Sequence, residues 1–354
     1  LRALAYSQQT QVLKFPMWHV AGPLARKIYS GDHTAYVDTN RIWGYRGAYD
    51  AMLWRDDEYG GNVYQINNIA NDGGIALTKQ VRDNWELGAT ICPVIRGVFT
   101  NEDSYQNQTS HYTDMALNVE IIGEKTGVEL PLGFTEDKDE EENIDTFWGR
   151  NLGGTHNGIE LWLQRPNWAD EMSGKFTRNA HRLDNKSGYF TYDLRSNEPA
   201  ETRDINLLMS SREQINNLQR FFCRCKGRLK SFYVPTWLQD FDLYENASAG
   251  SNYILVKFPY YWKYFSNIQR RKKIIVFFKD GTAQILDIGA YAADATGEIG
   301  KIWLNSALKS DLIMNNIQLI SFLCRYRFDD DLLTTDYITP GVAEMTLTLA
   351  EVTA

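Results

Sequence analysis

Five histidines, four cysteines and forty-five carboxylates are the groups with which this 354-residue chain could do acid–base, nucleophilic or metal chemistry. The histidines are His19, His33, His111, His156 and His181. No two of them stand four apart, and none forms a His-x-His pair with an acidic partner, the spacings that hold zinc. Cys92, Cys223, Cys225 and Cys324 form no Cys-x-x-Cys pair, and Cys223-Arg224-Cys225 is too close to bridge easily. They read as reduced, buried thiols of a chain made in the cytoplasm. Asp137, Asp139, Glu141 and Asn143 alternate as at the start of a calcium loop, but Glu142 stands where the sharp turn needs glycine, so a solvated linker is expected there. Asp329-Asp330-Asp331 reads as a turn or strand end. A glycosidase pair is defined by the separation of two carboxylates in space, which sequence does not give. The chain has no Gly-x-Ser-x-Gly, Walker A, Gly-x-Gly-x-x-Gly or catalytic-cysteine signature. No catalytic, cofactor-binding or metal-binding residue is assigned, no binding residue is identified, no cofactor is expected, and the expectation is a protein that is not an enzyme.

One patch is unusual. Phe258-Pro259-Tyr260-Tyr261-Trp262-Lys263-Tyr264-Phe265 is followed by Arg270-Arg271-Lys272-Lys273. Three readings compete: core aromatics in a strand pair with a basic hairpin turn, anchors of a protein interface, or a stacking surface for nucleic acid. A net charge of −8 puts nucleic acid last, because phosphate binding needs positive charge. Asn-x-Ser/Thr triplets at Asn107, Asn185 and Asn246 are at chance density and do not establish secretion. The longest strongly apolar run, Ile274–Phe278, is far below spanning length, so no membrane span is expected.

The elements that would position these groups are mostly strands. Alternating apolar residues mark 62–66, 75–78, 117–121, 159–163, 189–192, 205–207, 253–256, 274–278, 284–286 and 345–349. Turn signals lie between them: Asn71-Asp72-Gly73-Gly74, Asp184–Gly188, and Lys279-Asp280-Gly281, the last a hairpin signal. One helix is predicted at 212–225. Ser211 and Gln214 form a capping box. Ile215, Leu218, Phe221, Phe222 and Cys225 share one face, and Gly227 is placed to end the helix. Many short strands with few helices predict a mainly β, sandwich- or barrel-like fold.

The chain also reads as one module written twice. Leu13–Trp18 is echoed by Ser231–Trp237, with Trp18 and Trp237 offset by 237 − 18 = 219. Gly74–Leu77 with Val81 is echoed by Lys301–Leu304 with Leu308. Arg96–Phe99 is echoed by Arg325–Phe328, and Met115–Glu120 by Met345–Ala350. The order is kept while the offset drifts to 345 − 115 = 230, as loop insertions would cause. A tandem duplication of two related β-rich modules, each with a short α-helix, is therefore expected. The first would span 1–134, and its helix would survive only as the tail Leu1–Ser7. The acidic run within 135–154 would be a linker or exposed loop. The second module would span 155–354, longer because its opening strands, Ile159–Leu208, have no counterpart before Leu1.

The second module carries a family resemblance. A capped helix ends in Arg224-Cys225-Lys226-Gly227-Arg228 and leads into Phe232-Tyr233-Val234-Pro235-Thr236-Trp237, after Arg165-Pro166-Asn167-Trp168. The chain closes through Arg325–Asp331 and Thr339-Pro340-Gly341-Val342-Ala343. This order resembles tail-tip and baseplate proteins of tailed bacteriophages, of the distal-tail or hub kind. The resemblance covers about 160–350, and 10–120 only as a weaker first copy that keeps Pro16 and Trp18 but lacks the Lys-Gly-Arg. It implies a structural virion protein in the tail, assembled in the host cytoplasm. Such a chain would form a homo-oligomeric ring, a trimer or hexamer, joining tail tube, hub and host-recognition fibres. A receptor- or glycan-binding tail module is the first alternative, and a tail-associated glycan hydrolase the second.

Overall fold

The computed structural model describes residues 12–45, 47–55, 61–70, 72–99, 104–107, 113–116, 118–122, 155–156, 158–177, 180–184, 186, 190–194, 199–257, 261, 265, 267–293 and 298–352. It is mainly β, with 50% of the described residues in strands and 12% helical, as the alternating apolar runs require. Two compact units divide the chain. One gathers Leu1–Lys138, Met209–Asn216 and Tyr337–Ala343; the other gathers Asp139–Leu208, Asn217–Asp336 and Glu344–Ala354. The expected linker at 135–154 and the expected helix tail Leu1–Ser7 lie outside the described residues.

The first unit holds β1 (Leu13–Pro16), β2 (Gly22–Pro23), β3 (Thr34–Tyr36), β4 (Asp50–Trp54), β5 (Gly61–Ile69), β6 (Gly74–Leu77) and β7 (Thr90–Phe99). β8 (Ser104–Asn107) and β9 (Thr113–Ala116) pair as a separate hairpin, and β10 (Val119–Ile121) rejoins the sheet on β7. The sheet order is β1-β7-β4-β5-β6-β3. Alternation on β4 serves both faces. Ala51 and Leu53 enter the main core with Ile42, Tyr45, Ile66, Ile75 and Ile91. Met52 and Trp54 point the other way, toward Ala21, Cys92 and Val94.

The second unit opens with β11 (Thr155–His156) and β12 (Ile159–Glu160), paired with each other. Then come β13 (Ser173–Thr177), the hairpin β14 (Ala180–Asp184) and β15 (Phe190–Leu194), and β16 (Ala200–Met209). Helix α1 (Arg212–Cys225), whose residues up to Asn216 are counted with the first unit, leads to β17 (Phe232–Pro235), β18 (Tyr253–Lys257), β19 (Lys273–Phe278), β20 (Ala283–Ala293), β21 (Ile299–Leu304), β22 (Ile317–Phe328), β23 (Asp336–Thr339), counted from Tyr337 with the first unit, and β24 (Val342–Glu351). The sheet order is β13-β16-β24-β22-β19-β20-β21-β18, with β17 also on β22.

Within that order the first sheet is repeated strand for strand: β17-β22-β19-β20-β21-β18 matches β1-β7-β4-β5-β6-β3. Register agrees as well, Lys14 facing Arg96 and Tyr233 facing Arg325. The β5–β6 pairing slips between Ile66 and Asn68, and the β20–β21 pairing between Ile288 and Ala290, in both cases 288 − 66 = 290 − 68 = 222 positions on. Loop bonds repeat too. The Gly31 amide donates to the Val81 carbonyl and the Gly250 amide to the Leu308 carbonyl, both at 2.8 Å. Both glycines are left-handed, at φ 97° and 84°, a backbone shape that costs other residues more. Shared order, slips and loop bonds make the two sheets one structural plan used twice.

Two sequence expectations need adjusting. The echo of Met115–Glu120 in Met345–Ala350 holds at Val119 and Glu120, since β10 lies on β7 as β24 lies on β22. Met115 instead belongs to β9, because the counterpart of the unbroken ten-residue β24 is split into two strands. The strand expected at 159–163 is also divided. Ile159 and Glu160 pair with β11, and Leu161 then bridges β17 in parallel, the Trp162 amide donating to the Tyr233 carbonyl at 2.8 Å.

Helix α1 has the predicted bounds. The Gln214 amide donates to Ser211 Oγ at 3.2 Å, while Gln214 Oε1 accepts from the amide of Ser210, at 2.9 Å. At the other end the left-handed turn begins at Lys226 (φ 53°) and continues through Gly227 (φ 58°), one residue earlier than glycine alone would suggest. Ile215, Leu218, Phe221 and Cys225 are buried, whereas Phe222 is only partly so. The Phe221 ring meets Phe232 at 4.9 Å and Phe328 at 6.0 Å, edge to face, the preferred geometry for aromatic pairs.

Candidate functional site

The groups singled out by sequence are dispersed. His19 is half-buried, His33 and His181 are exposed, and His111 lies outside the described residues. The acidic run 135–143 also lies outside them. Asp331 has a structural task, accepting the Arg228 amide at 2.8 Å and its Nε at 3.0 Å, and these bonds hold its pKa down. Cys92, Cys225 and Cys324 are buried free thiols, each pushed up to about 12 by burial, so they stay protonated and weakly nucleophilic at neutral pH.

The aromatic and basic patch resolves differently from a basic hairpin turn. Of its aromatic half, Tyr261 and Phe265 are described. Tyr261 is buried and donates its hydroxyl to the Arg271 carbonyl at 3.1 Å. Arg271 itself is buried, because carboxylates wait for it inside. Its guanidinium reaches Glu201 at 3.2 Å, Cys324 Sγ at 2.7 Å, and Glu351. Arg203 Nε donates to Glu201 at 2.6 Å, Arg270 to Glu351 at 2.6 Å, and the Tyr326 hydroxyl to Glu201 at 3.0 Å. Arg203 also donates to the Thr236 carbonyl at 3.0 Å. Beside it, Asp240 accepts from the Thr236 hydroxyl and from the Phe322 amide at 2.7 Å.

This buried ionic cluster was readable in part. Glu201 and Arg203 alternate with Ile205, Leu207 and Met209 on β16, so two charges occupy the inward phase of a strand. Inward charges must be paired, since an unpaired one would pay a large desolvation cost. Among its described residues the first module has no such cluster. Ile121 stands where β24 has Glu351, and Gly97 where β22 has Tyr326.

Above the cluster opens a cleft of about 380 Å³, lined by Tyr233, Arg270, Lys273, Asp287, Leu323 and Arg325 among others. At its rim Lys273 pairs with Asp287, and His156 Nε2 lies 3.5 Å from Lys273 Nζ. Burial and the neighbouring ammonium lower the His156 pKa, which keeps the ring neutral at pH 7. Most of the cations here have an internal partner: Arg270 has Glu351, Lys273 has Asp287, and Arg325 Nε has Ser231 Oγ at 2.6 Å. The cleft is thus largely neutralised from within.

Two places on the second unit's large sheet offer aromatic groups outward among the described residues. Tyr253 and Trp303 face each other across β18 and β21, both exposed, and Lys301 Nζ sits 3.8 Å from the Tyr253 ring and 5.1 Å from the Trp303 ring. The edge strand β13 is exposed at all five residues, with Phe176 at 66%. Neither surface has a distinctive sequence signal, because exposure depends on which strands end the sheet. No protein-family model matches this sequence, and no curated protein aligns to it significantly. Among the described residues no helix is long and apolar enough to cross a membrane.

Proposed function

We propose that this chain is a structural component of the tail tip or baseplate of a tailed bacteriophage. In this reading it forms a ring of three or six copies that joins tail tube, hub and host-recognition fibres. The observation that carries the proposal is the use of one sheet plan twice. Doubling a scaffold doubles assembly surfaces, whereas doubling one active site gains little. Two related modules per chain would let a trimer offer six similar modules to a six-fold tube. The stretch that resembles tail-tip proteins adds support through its position. Lys226-Gly227-Arg228 makes the left-handed exit from α1, and Phe232–Trp237 forms β17 and the turn after it, where Trp237 stacks on Phe277 at 5.0 Å.

Immunogold labelling of purified particles from the host that encodes this chain tests the proposal. Gold at the distal end of the tail agrees with it; gold on the capsid, or particles free of the chain, refutes it.

The exposed Tyr253–Trp303 pair favours a second reading, a glycan- or receptor-binding tail module, since flat aromatic faces suit sugar rings. Loss of host-cell or glycan-array binding in Trp303→Ala would select this reading over a purely architectural one.

A further inference from the structure

Internal pairs neutralise most of the cleft above the buried ionic cluster, and what they leave is cationic. The lining carries Arg270, Lys272, Lys273 and Arg325 against one carboxylate, Asp287. Lys273 occupies Asp287, and Glu351 holds Arg270. Lys272 has no ion-pair partner among the described residues. Arg325 uses only its Nε, on the uncharged Ser231 hydroxyl, so its charge is unmatched there. Gln269 and Asn305 bring side-chain amides to the same lining.

Tyr233 points to a ligand more directly. It lines the cleft and is only 9% exposed, yet among the described residues its hydroxyl bonds to nothing. A phenol so deeply placed ordinarily has a hydrogen-bond partner. Ile288 and Leu323, both buried, add apolar lining beside it. The sheet plan does not require these residues. By register, Lys14, Asp50 and Arg96 of the first sheet stand where Tyr233, Lys273 and Arg325 stand in the second. There Lys14 reaches Asp50 at 2.6 Å and Arg96 lies over the Tyr49 ring at 4.0 Å, so both cations are engaged within the sheet. The second copy replaces that ion pair with a phenol and a further cation.

We propose that this cleft binds a small phosphate monoester carried on an apolar body. Its volume of about 380 Å³ lies at the low end of ligand pockets, roughly 300–1,000 Å³, which suits a small molecule and not a polymer. A phosphoryl group brings about two negative charges and three acceptor oxygens. Lys272, Arg325 and the Tyr233 hydroxyl supply the matching charge and donors, and a guanidinium fork suits phosphate in particular. The apolar body has the Tyr233 ring, Leu323 and Ile288 to lie against. The site belongs to the second unit alone and holds whatever larger assembly the chain joins.

The probe is phenyl phosphate, titrated into the intact chain in a calorimeter, with phenol, benzoate and inorganic phosphate as comparisons. Phenyl phosphate is expected to bind saturably with a Kd below about 1 mM, and each comparison at least about tenfold more weakly. Lys272→Gln and Arg325→Gln should each weaken phenyl phosphate at least about fivefold. Tyr233→Phe, which keeps the ring and its packing, should weaken it too. Lys257→Gln, a cation outside the cleft lining, should bind as the parent does. The proposal is overturned if phenyl phosphate does not bind below about 10 mM, or if phenol, benzoate or inorganic phosphate binds as tightly. It is also overturned if Lys272→Gln and Arg325→Gln bind as the parent does.

Discussion

Trp18 and Trp237 occupy the same place in two sheets of the same strand order, yet Trp18 is 46% exposed and Trp237 only 5%. The cover over Trp237 comes from Leu161 and Leu163. The two residues should therefore differ sharply in energetic weight. Trp237→Ala is expected to lose about 3–5 kcal/mol of stability, and Trp18→Ala less than about 1 kcal/mol. Urea unfolding of both variants measures the contrast, and equal losses would remove the distinction between the covered and the exposed tryptophan.

The buried ionic cluster makes a second prediction. Glu351 holds both Arg270 and Arg271. Its removal leaves two buried guanidiniums short of a carboxylate, so Glu351→Ala should cost about 3–5 kcal/mol. A loss under about 1 kcal/mol, the range of surface ion pairs, would mean that water reaches the cluster.

Helix α1 should depend on one phenylalanine more than on its neighbour. Phe221 is fully buried between Phe232 and Phe328, while Phe222 meets the Phe328 ring at 4.9 Å and is partly exposed. Phe221→Ala should cost about 3–5 kcal/mol and Phe222→Ala clearly less. Thermal or chemical unfolding that ranks them the other way would contradict the packing of this helix.

Stability should respond to pH through two groups of opposite sign. Burial and then Lys273 hold the His156 pKa below its ordinary 6.5. Between that lowered value and 6.5 the unfolded chain binds more protons, so stability falls as pH drops through the window. Burial raises the Asp240 pKa above 3.8, against the opposing bonds from Thr236 and Phe322. Between 3.8 and the raised value the folded chain binds more protons, so this contribution falls as pH rises through that window. His156→Gln should flatten the upper window and Asp240→Asn the lower, in urea titrations from about pH 4 to pH 7. An unchanged slope in either variant would deny that group its assigned role.

Much of this architecture was legible in the residues. The 3.6-residue spacing of Ile215, Leu218, Phe221 and Cys225 predicted α1 to its observed ends, because a buried stripe and two caps leave little freedom. Asp280-Gly281 predicted the β19–β20 hairpin, where Gly281 adopts φ 91°. The echo of Leu13–Trp18 in Ser231–Trp237 anticipated two sheets of one order. What stayed hidden was non-local. Arg271 reads as part of a surface charge run until Glu201 and Glu351, some seventy to eighty residues away, are seen to meet it. Likewise Ile159–Leu163 reads as one strand, and only its bridge to Tyr233 reveals it as the cover of β17.

The measurement that bears most directly on the central claim is electron cryomicroscopy of the native particle carrying this chain. A closed three-fold or six-fold ring at the end of the tail tube, with the two modules superposable by a rotation, is the predicted result. A peripheral chain that touches neither tube nor hub, or a particle without the chain, would contradict it.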